Sequence, residues 1–180
     1  GYPPGVPQAE VRATANVVEA AGMLCESLVD EPTAANAVIE MQNGAIVDVG
    51  GGTTGIAIIE NGEVVFTADE ATGGTHLTLV IAGAKDIPFE DAEKLKVDTT
   101  RQKELFPVIR PVFEKVASIV ARQIEGYSVP KIVMVGGTSA FYRADEVVAE
   151  YTGIPTWVPD NPFLVTPLGM AMHQKLGSEG

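Results

Sequence analysis

Residues 45–60 read AIVDVGGGTTGIAIIE. An apolar run carries Asp48 near its end, glycines and threonines follow, and a second apolar run closes the stretch. Asn43-Gly44 precedes it and Asn61-Gly62 follows it; both are strong turn dipeptides. The pattern predicts three successive strands over 45–49, 56–60 and 64–68. The first connection is residues 50–55, and the second is the Asn61-Gly62 hairpin turn.

Two residues suffice to reverse a chain, so six residues with four glycines exceed that need. Glycine lets backbone N–H groups converge and lets a ligand approach with no Cβ in the way. Successive N–H groups in such a turn form a concave anion site. Thr53 and Thr54 add hydroxyl donors, and Asp48 sits at the strand end. A carboxylate there repels a phosphate unless a cation such as Mg²⁺, with its water shell kept, lies between them. One reading is therefore a loop for a metal-bound triphosphate. The other is a glycine-rich hairpin with a solvated Asp. The P-loop is set aside because no Lys follows the glycines, and the dinucleotide fingerprint because a β-branched strand follows where a helix is required.

The chain has 180 residues and 46% hydrophobic content, enough for one domain, or one and a half, around a sizeable core. Its formal net charge of −12 argues against nucleic acid or an anionic membrane as a surface-wide partner. A nucleotide needs only a local site. Cys25 is the single cysteine, so no disulfide forms within the chain and a reducing, cytoplasmic compartment is expected. No apolar run reaches transmembrane length. The opening Gly1-Tyr2-Pro3-Pro4-Gly5 lacks an initiator Met and reads as the tail of an earlier element, which suggests a fragment.

In chain order, residues 7–22 predict a helix with Gly22 at its C-terminal end. Residues 24–29 predict a short strand holding Cys25 as a small buried residue. Asp30-Glu31-Pro32-Thr33 opens a helix over 33–41. Glu31 is either helix N-terminal charge or a carboxylate aimed at the nucleotide. Gly73-Gly74 precedes a helix over 75–84, whose free N–H groups are a second candidate phosphate contact. His76 is either a ligand or a satisfied hydrogen-bonding group. Residues 88–96 predict a short helix ordered acidic to basic, and 99–125 a long one, kinked or restarted near Pro107 and Pro111. KIVMV at 131–135 predicts a strand buried on both faces. Gly136-Gly137-Thr138-Ser139 follows it, then a helix over 140–151. Bare backbone at the carboxyl end of a strand is where open α/β sheets bind ligands. A strand over 156–158 and a helix over 162–176 close the chain, with Gly169 and Ala171 permitting close packing. Three antiparallel strands followed by strands reached through helices define an α/β fold with a mixed five-stranded sheet and flanking helices.

Three glycine motifs in this order resemble the nucleotide-binding half of the actin–Hsp70–sugar kinase superfamily, whose core is a ribonuclease-H-like sheet. Asp48-Val49-Gly50-Gly51-Gly52-Thr53-Thr54 resembles its second phosphate motif. Glu31-Pro32-Thr33-Ala34-Ala35 resembles the first connecting helix, Gly136-Gly137-Thr138-Ser139 the adenosine motif, and Leu168-Gly169-Met170-Ala171 the second connecting helix. Gly73-Gly74 with His76, and Ala92-Glu93-Lys94-Leu95-Lys96, are similar to segments of the bacterial division and cell-shape relatives. Within the superfamily the chain most resembles the chaperonin-like proteins of ethanolamine utilisation, through Tyr2-Pro3-Pro4-Gly5, the short 97–100 connection and the Thr-Pro-Leu-Gly-Met-Ala ending.

The resemblance implies an actin-like ATPase domain with ATP and Mg²⁺ as cofactors. It implies that Glu31 helps place the attacking water or the metal, and that Asp48 holds Mg²⁺ through water. Gly50, Gly51, Gly52, Thr53 and Thr54 would cradle the β- and γ-phosphates, with Gly73 and Gly74 beside them. Glu93 would reach the ribose, and Gly136, Gly137 and Thr138 would back the adenosine. Residues 1–42 would be the end of a first ATPase domain with its connecting helix, and 43–180 the second nucleotide-binding domain. The superfamily's first phosphate loop, an Asp-Leu-Gly-Thr-like segment, has no counterpart here. ATPase activity, weak in the full-length protein, is therefore not expected of this chain alone. The implied function is a chaperone-like protein acting on a protein client, ethanolamine ammonia-lyase or a microcompartment protein, through nucleotide-driven cleft closure. The alternative is a non-hydrolysing scaffold for assembly or docking.

Overall fold

The computed structural model describes residues 1–2 and 6–176, so residues 3–5 of the Tyr-Pro-Pro-Gly opening lie outside it. The glycine-rich stretch forms β1 (Asn43–Val49) and β2 (Thr54–Glu60), and β3 (Glu63–Glu70) follows after the Asn61-Gly62 turn. Both turn residues have positive φ, 53° and 84°, as the tight hairpin turn requires. β4 (Ile132–Val135) and β5 (Thr156–Trp157) complete one sheet in the order β3-β2-β1-β4-β5. β1–β2 and β2–β3 are antiparallel, whereas β1–β4 and β4–β5 are parallel. This is the mixed five-stranded sheet that the sequence predicts.

Strand alternation sorts the two faces. Ala45, Val47, Val49, Ile56, Ile58, Ile132 and Met134 belong to the larger core cluster. They pack against α3 (Gly74–Lys85), α5 (Gln102–Gln123) and α6 (Ala144–Thr152). Ile46, Ala57, Ile59, Val133 and Val135 face the other way, toward α2 (Glu31–Ile39) and α7 (Pro162–Leu176). Asp48 has the parity of Ile46, so its carboxylate emerges on the α2/α7 face.

Those two helices touch at backbone distance. A Cβ on Gly169 would lie 1.6 Å from the carbonyl oxygen of Ala34, so only glycine lets α7 approach this closely. Asp30 caps α2: its carboxylate accepts the Thr33 N–H at 3.0 Å and the Thr33 hydroxyl at 2.9 Å.

Three expectations change. Residues 24–29 form no strand; only an isolated bridge between Tyr2 and Asp30 lies nearby. Leu24 is 78% exposed and Cys25 only half-buried, and within the segment only Val29 is buried, its carbonyl accepting the Tyr2 N–H at 3.2 Å. α5 is one helix running through Pro107 and Pro111. Both prolines lie on its exposed side, where carbonyls left without an intrahelical donor reach water. The helix expected over 140–151 begins at Ala144, because a 3-10 turn, Gly137–Ala140, and Arg143 at positive φ intervene. The remaining elements are α1 (Gln8–Ala20), which has no buried residue, and α4 (Phe89–Val97). Among the described residues no helix is long and apolar enough to cross a membrane.

The α2/α7 contact gives a paired prediction. Gly169→Val should cost about 3 kcal/mol or more through overpacking. Gly83→Ala, on an exposed turn of α3 where a Cβ meets nothing within 4 Å, should gain about 0.5–1 kcal/mol. Urea unfolding of both variants checks this; equal midpoints would contradict the packing described.

Candidate functional site

β1 ends at Val49 and the ladder resumes at Thr54, so the loop is residues 50–53, shorter than the pattern suggested. Gly50 donates its N–H to the Thr53 carbonyl at 3.0 Å. The loop carbonyls are tied down on one side. Gly74 N–H donates to Gly50 O at 2.9 Å, Thr75 N–H to Gly51 O at 2.7 Å, and the Thr138 hydroxyl to Gly50 O at 2.9 Å. In a trans peptide the C=O and the next N–H point in opposite directions. Anchoring the carbonyls of 50 and 51 therefore turns the N–H groups of Gly51 and Gly52 away from α3. Neither these two amides nor that of Thr53 donates to any backbone or side-chain acceptor among the described residues. A Cβ on Gly51 or Gly52 would meet nothing within 4 Å. The loop offers successive bare amides of the kind that bind anions.

The start of α3 plays a different part from the one expected. The N–H groups of Gly74 and Thr75 are not free, because they hold the loop, and Gly73 N–H donates to His76 Nδ1 at 3.2 Å. Gly73 is required for contact: a Cβ there would lie 2.8–2.9 Å from the backbone of Gly50, Gly51 and Gly52. His76 is thus a satisfied capping residue. Thr54 sits in β2, fully buried, with its hydroxyl donating to Thr72 O at 2.6 Å; burial turns it from the loop's open side.

A cavity of about 660 Å³ opens beside the loop. Gly50 and Gly51 line it on one side, Gly136, Gly137 and Thr138 on another, with Glu31, Asp48 and Glu93 also in its wall. Eight of the predicted site residues thus share one cavity; Gly52, Thr53, Thr54, Gly73 and Gly74 are not in its wall. The junction of the two glycine motifs is tight. Gly136 has φ +86°, and a Cβ there would lie 2.3 Å from Asp48 Oδ1 and 2.6 Å from Val49 O. Its N–H donates to Pro162 O at 3.0 Å.

The acids are electrostatically loaded. Burial raises the Asp48 carboxyl above the ordinary carboxylate range, opposed by a hydrogen bond from Thr166, while the Asp69 charge raises it further. Burial and then the Asp48 charge raise Glu31, the first residue of α2. Burial likewise raises Asp69, against a hydrogen bond from Thr53. Asp48 and Asp69 each pair with Gly55 in the sheet register, so both flank a residue with no side chain. Across the cavity, burial pushes Glu93 up, but hydrogen bonds from Lys96 and Thr78 and the lysine charge prevail and lower it. Lys96 Nζ lies 2.7 Å from Glu93 Oε2 and also donates to Thr78 Oγ1 and Gly74 O. Sequence reasoning missed Thr166, Lys96 and Asp69. For Asp69 simple counting misleads: from the Asn61-Gly62 turn it places Ala68 opposite Gly55, and only a register shift between Ile58 and Ile59 brings Asp69 there.

Among the described residues no three His, Cys, Asp or Glu side chains cluster closely enough to hold a metal ion. The donor set suits a cation that keeps much of its water, as Mg²⁺ does on one or two carboxylates and a phosphate. Asp48 fits that part: Oδ2 accepts from Thr166 at 2.8 Å, and Oδ1 has no protein donor among the described residues.

A β3-β2-β1-β4-β5 sheet between two helical layers, with glycine turns meeting at one cavity, is the fold of the actin-like ATPases. The chain belongs to the family described as type IV pilus assembly protein PilM, which matches over residues 11–178. It is 38% identical to ethanolamine utilization protein EutJ of Salmonella typhimurium, over 99% of this chain and 63% of that protein. The crystal structure of EutJ from Carboxydothermus hydrogenoformans superposes with a TM-score of 0.88 at 46% identity, over 94% of this chain and 63% of that one. The expected likeness to ethanolamine-utilisation proteins is thereby borne out. MreB 5 of Spiroplasma citri bound to AMPPNP shares the fold, with a TM-score of 0.86 at 20% identity over 98% of this chain and 67% of that one. The chain spans less than two thirds of the EutJ relatives' length.

The raised Asp48 carboxyl gives a signed prediction. A folded-state pKa above the unfolded value stabilises the protein below the ordinary carboxylate range, and that contribution is lost as pH rises through the raised value. Asp48→Asn removes the penalty and keeps an acceptor for Thr166. Without metal or nucleotide, the variant should melt above wild type at pH 7–8, with the gap narrowing toward pH 4. Melting curves at both pH values check this; a gap independent of pH would contradict it.

Proposed function

We propose that the chain binds Mg·ATP in the cavity between the residue 50–53 loop and Gly136-Gly137. The observation that carries this is the run of bare amides at 51–53, held open by the anchored carbonyls of Gly50 and Gly51 beside the Asp48 carboxylate. The amides at 51–53 would receive the β- and γ-phosphates, with the Thr53 hydroxyl held by Asp69 and Gly73 and Gly74 as the support beneath. Asp48 Oδ1 would accept from water on Mg²⁺, and Glu31 would orient the attacking water or the metal's shell. The bound Mg²⁺ supplies charge neutralisation between phosphate and carboxylates. Glu93 would accept from the ribose, and the bare backbone at 136–137 with Thr138 would back the adenosine.

In this reading residues 43–180 are the second nucleotide-binding domain, and residues 1–42 carry the connecting helix from a first one. The whole protein would be a chaperone-like ATPase of ethanolamine utilisation, closing its cleft on nucleotide to act on a protein client. Ethanolamine ammonia-lyase and microcompartment proteins are the candidate clients. Its match to a pilus-assembly family favours a second reading, a scaffold that docks partners or assembles without turnover.

Calorimetry on the full-length protein tests the first reading. Mg·ATP should bind wild type, and Asp48→Ala should remove the magnesium-dependent part of the affinity. No heat with wild type would end the proposal. Light scattering with and without ATP separates the two readings. Assembly, or partner binding indifferent to Asp48→Ala, would favour the scaffold.

A further inference from the structure

Helix α7 reaches the acidic centre directly. The Thr166 hydroxyl donates to Asp48 Oδ2 at 2.8 Å across 118 residues of sequence, and Thr166 is 8% exposed. A threonine inside a helix commonly turns its hydroxyl back to the carbonyl four residues earlier. Here that carbonyl belongs to Pro162, and it accepts the Gly136 N–H at 3.0 Å. The Thr166 hydroxyl goes to the carboxylate instead. The opposite oxygen, Oδ1, lies where a Cβ on Gly136 would stand, 2.3 Å from that position. Asp48 is therefore held from both sides by parts that α7 connects: Thr166 on one oxygen, and Gly136, tied to the start of α7, against the other.

We propose that Thr166 is a positioning residue for the Asp48 carboxylate. It fixes one oxygen so that the other is presented to the cation, and it couples the α2/α7 helix pair to the metal side of the nucleotide site. This rests on the Mg·ATP reading above. The physical case is directional. A carboxylate with one oxygen engaged by a fixed donor has a set rotamer and one free acceptor edge. A carboxylate without that donor, in a cavity of this size, rotates. Thr166 makes no use of the phosphate loop, so its contribution concerns the cation and not the phosphates. Helix α7 is also joined to α2 by the Gly169–Ala34 contact, and α2 begins with Glu31. Movement of the helix pair therefore shifts Thr166 and Glu31 together relative to Asp48, which stays on β1.

The test uses the full-length protein as wild type, Thr166→Val and Thr166→Ser. Three quantities are read: affinity for ATP with Mg²⁺, affinity for ATP in EDTA, and the melting shift caused by Mg²⁺ alone. In Thr166→Val the magnesium-dependent gain in ATP affinity should fall about 10-fold or more, the size expected when a partner of a metal-holding group is removed. Affinity in EDTA should stay at the wild-type value, and Thr166→Ser should restore the gain. An unchanged magnesium gain in Thr166→Val would overturn the proposal. So would equal losses with and without metal that serine does not rescue, since that pattern marks a packing role. Should wild type bind no ATP, the nucleotide reading fails separately. A melting shift from Mg²⁺ in wild type and Thr166→Ser, absent in Thr166→Val, would then still support the positioning role. No shift in any of the three would overturn it as well.

Discussion

The site depends on one exclusion of volume: an oxygen of Asp48 occupies the space where residue 136 would carry its Cβ. β1 and β4 are parallel neighbours with Asp48 paired to Val135, so the ends of both strands arrive at the same level. Had residue 136 any side chain, the carboxylate would be displaced or the two strand ends forced apart. Glycine, at φ +86°, lets the chain turn sharply out of β4 and leaves the acid in place. The phosphate-type loop, the acid and the second glycine turn then open onto one cavity because the sheet register puts them there.

A second constraint sets the polarity of the loop. Amides at a glycine turn point anywhere unless their carbonyls are fixed. Here the first turn of α3 fixes them, using donors that a helix start ordinarily leaves free. An isolated helix terminus could itself have been the anion site. Instead its N–H groups orient a neighbouring loop, whose amides at 51–53 then have no internal acceptor among the described residues. The arrangement moves donor capacity from α3 to the loop, beside Asp48, where a metal-bound phosphate would need it. The same logic explains Gly73, whose role is to let three loop residues lie on the helix start.

Much of this was legible in the sequence, and the reasons are local. Asn61-Gly62 specifies a two-residue hairpin, so three strands could be placed from turn chemistry and apolar runs. The continuous apolar run at 131–135 marked a strand buried on both faces, and the structure buries all of β4. The glycine motifs pointed to a shared cavity, which Gly50, Gly51, Gly136 and Gly137 do line. What escaped was whatever depends on where a side chain or carbonyl finds its partner. Thr54 and Thr53 are adjacent and chemically alike, yet the ladder takes one into the core and leaves the other in the loop. Thr166 lies mid-helix, among residues that read as packing, and only the packing of α7 beside β4, next to the end of β1, gives its hydroxyl an acid to meet. Residues 24–29 had a strand-like composition, but among the described residues only Tyr2 pairs near their end.

The two faces of the sheet explain why the acids stand where they do. The α3/α5/α6 face is packed by apolar side chains with Phe113 and Leu105 fully buried, and it has no room for an ionised group. Every strand-borne acid that matters here therefore follows the opposite parity. Asp48 and Asp69 emerge beside Gly55, a gap in the side-chain layer, and Glu31 comes from α2 above. Burial raises all three carboxyls, and like charge adds to it, from Asp48 at Glu31, from Asp69 at Asp48 and from Glu70 at Asp69, so the face is destabilised while they are ionised and uncompensated. Ordinary packing would have filled such a gap with apolar side chains or paired the acids with lysine. The nearest cavity lysine, Lys96, is instead engaged by Glu93 on the far wall. An acidic group left without an internal counter-charge, next to amides left without an internal acceptor, is complementary to a ligand carrying both signs, a cation joined to a polyphosphate.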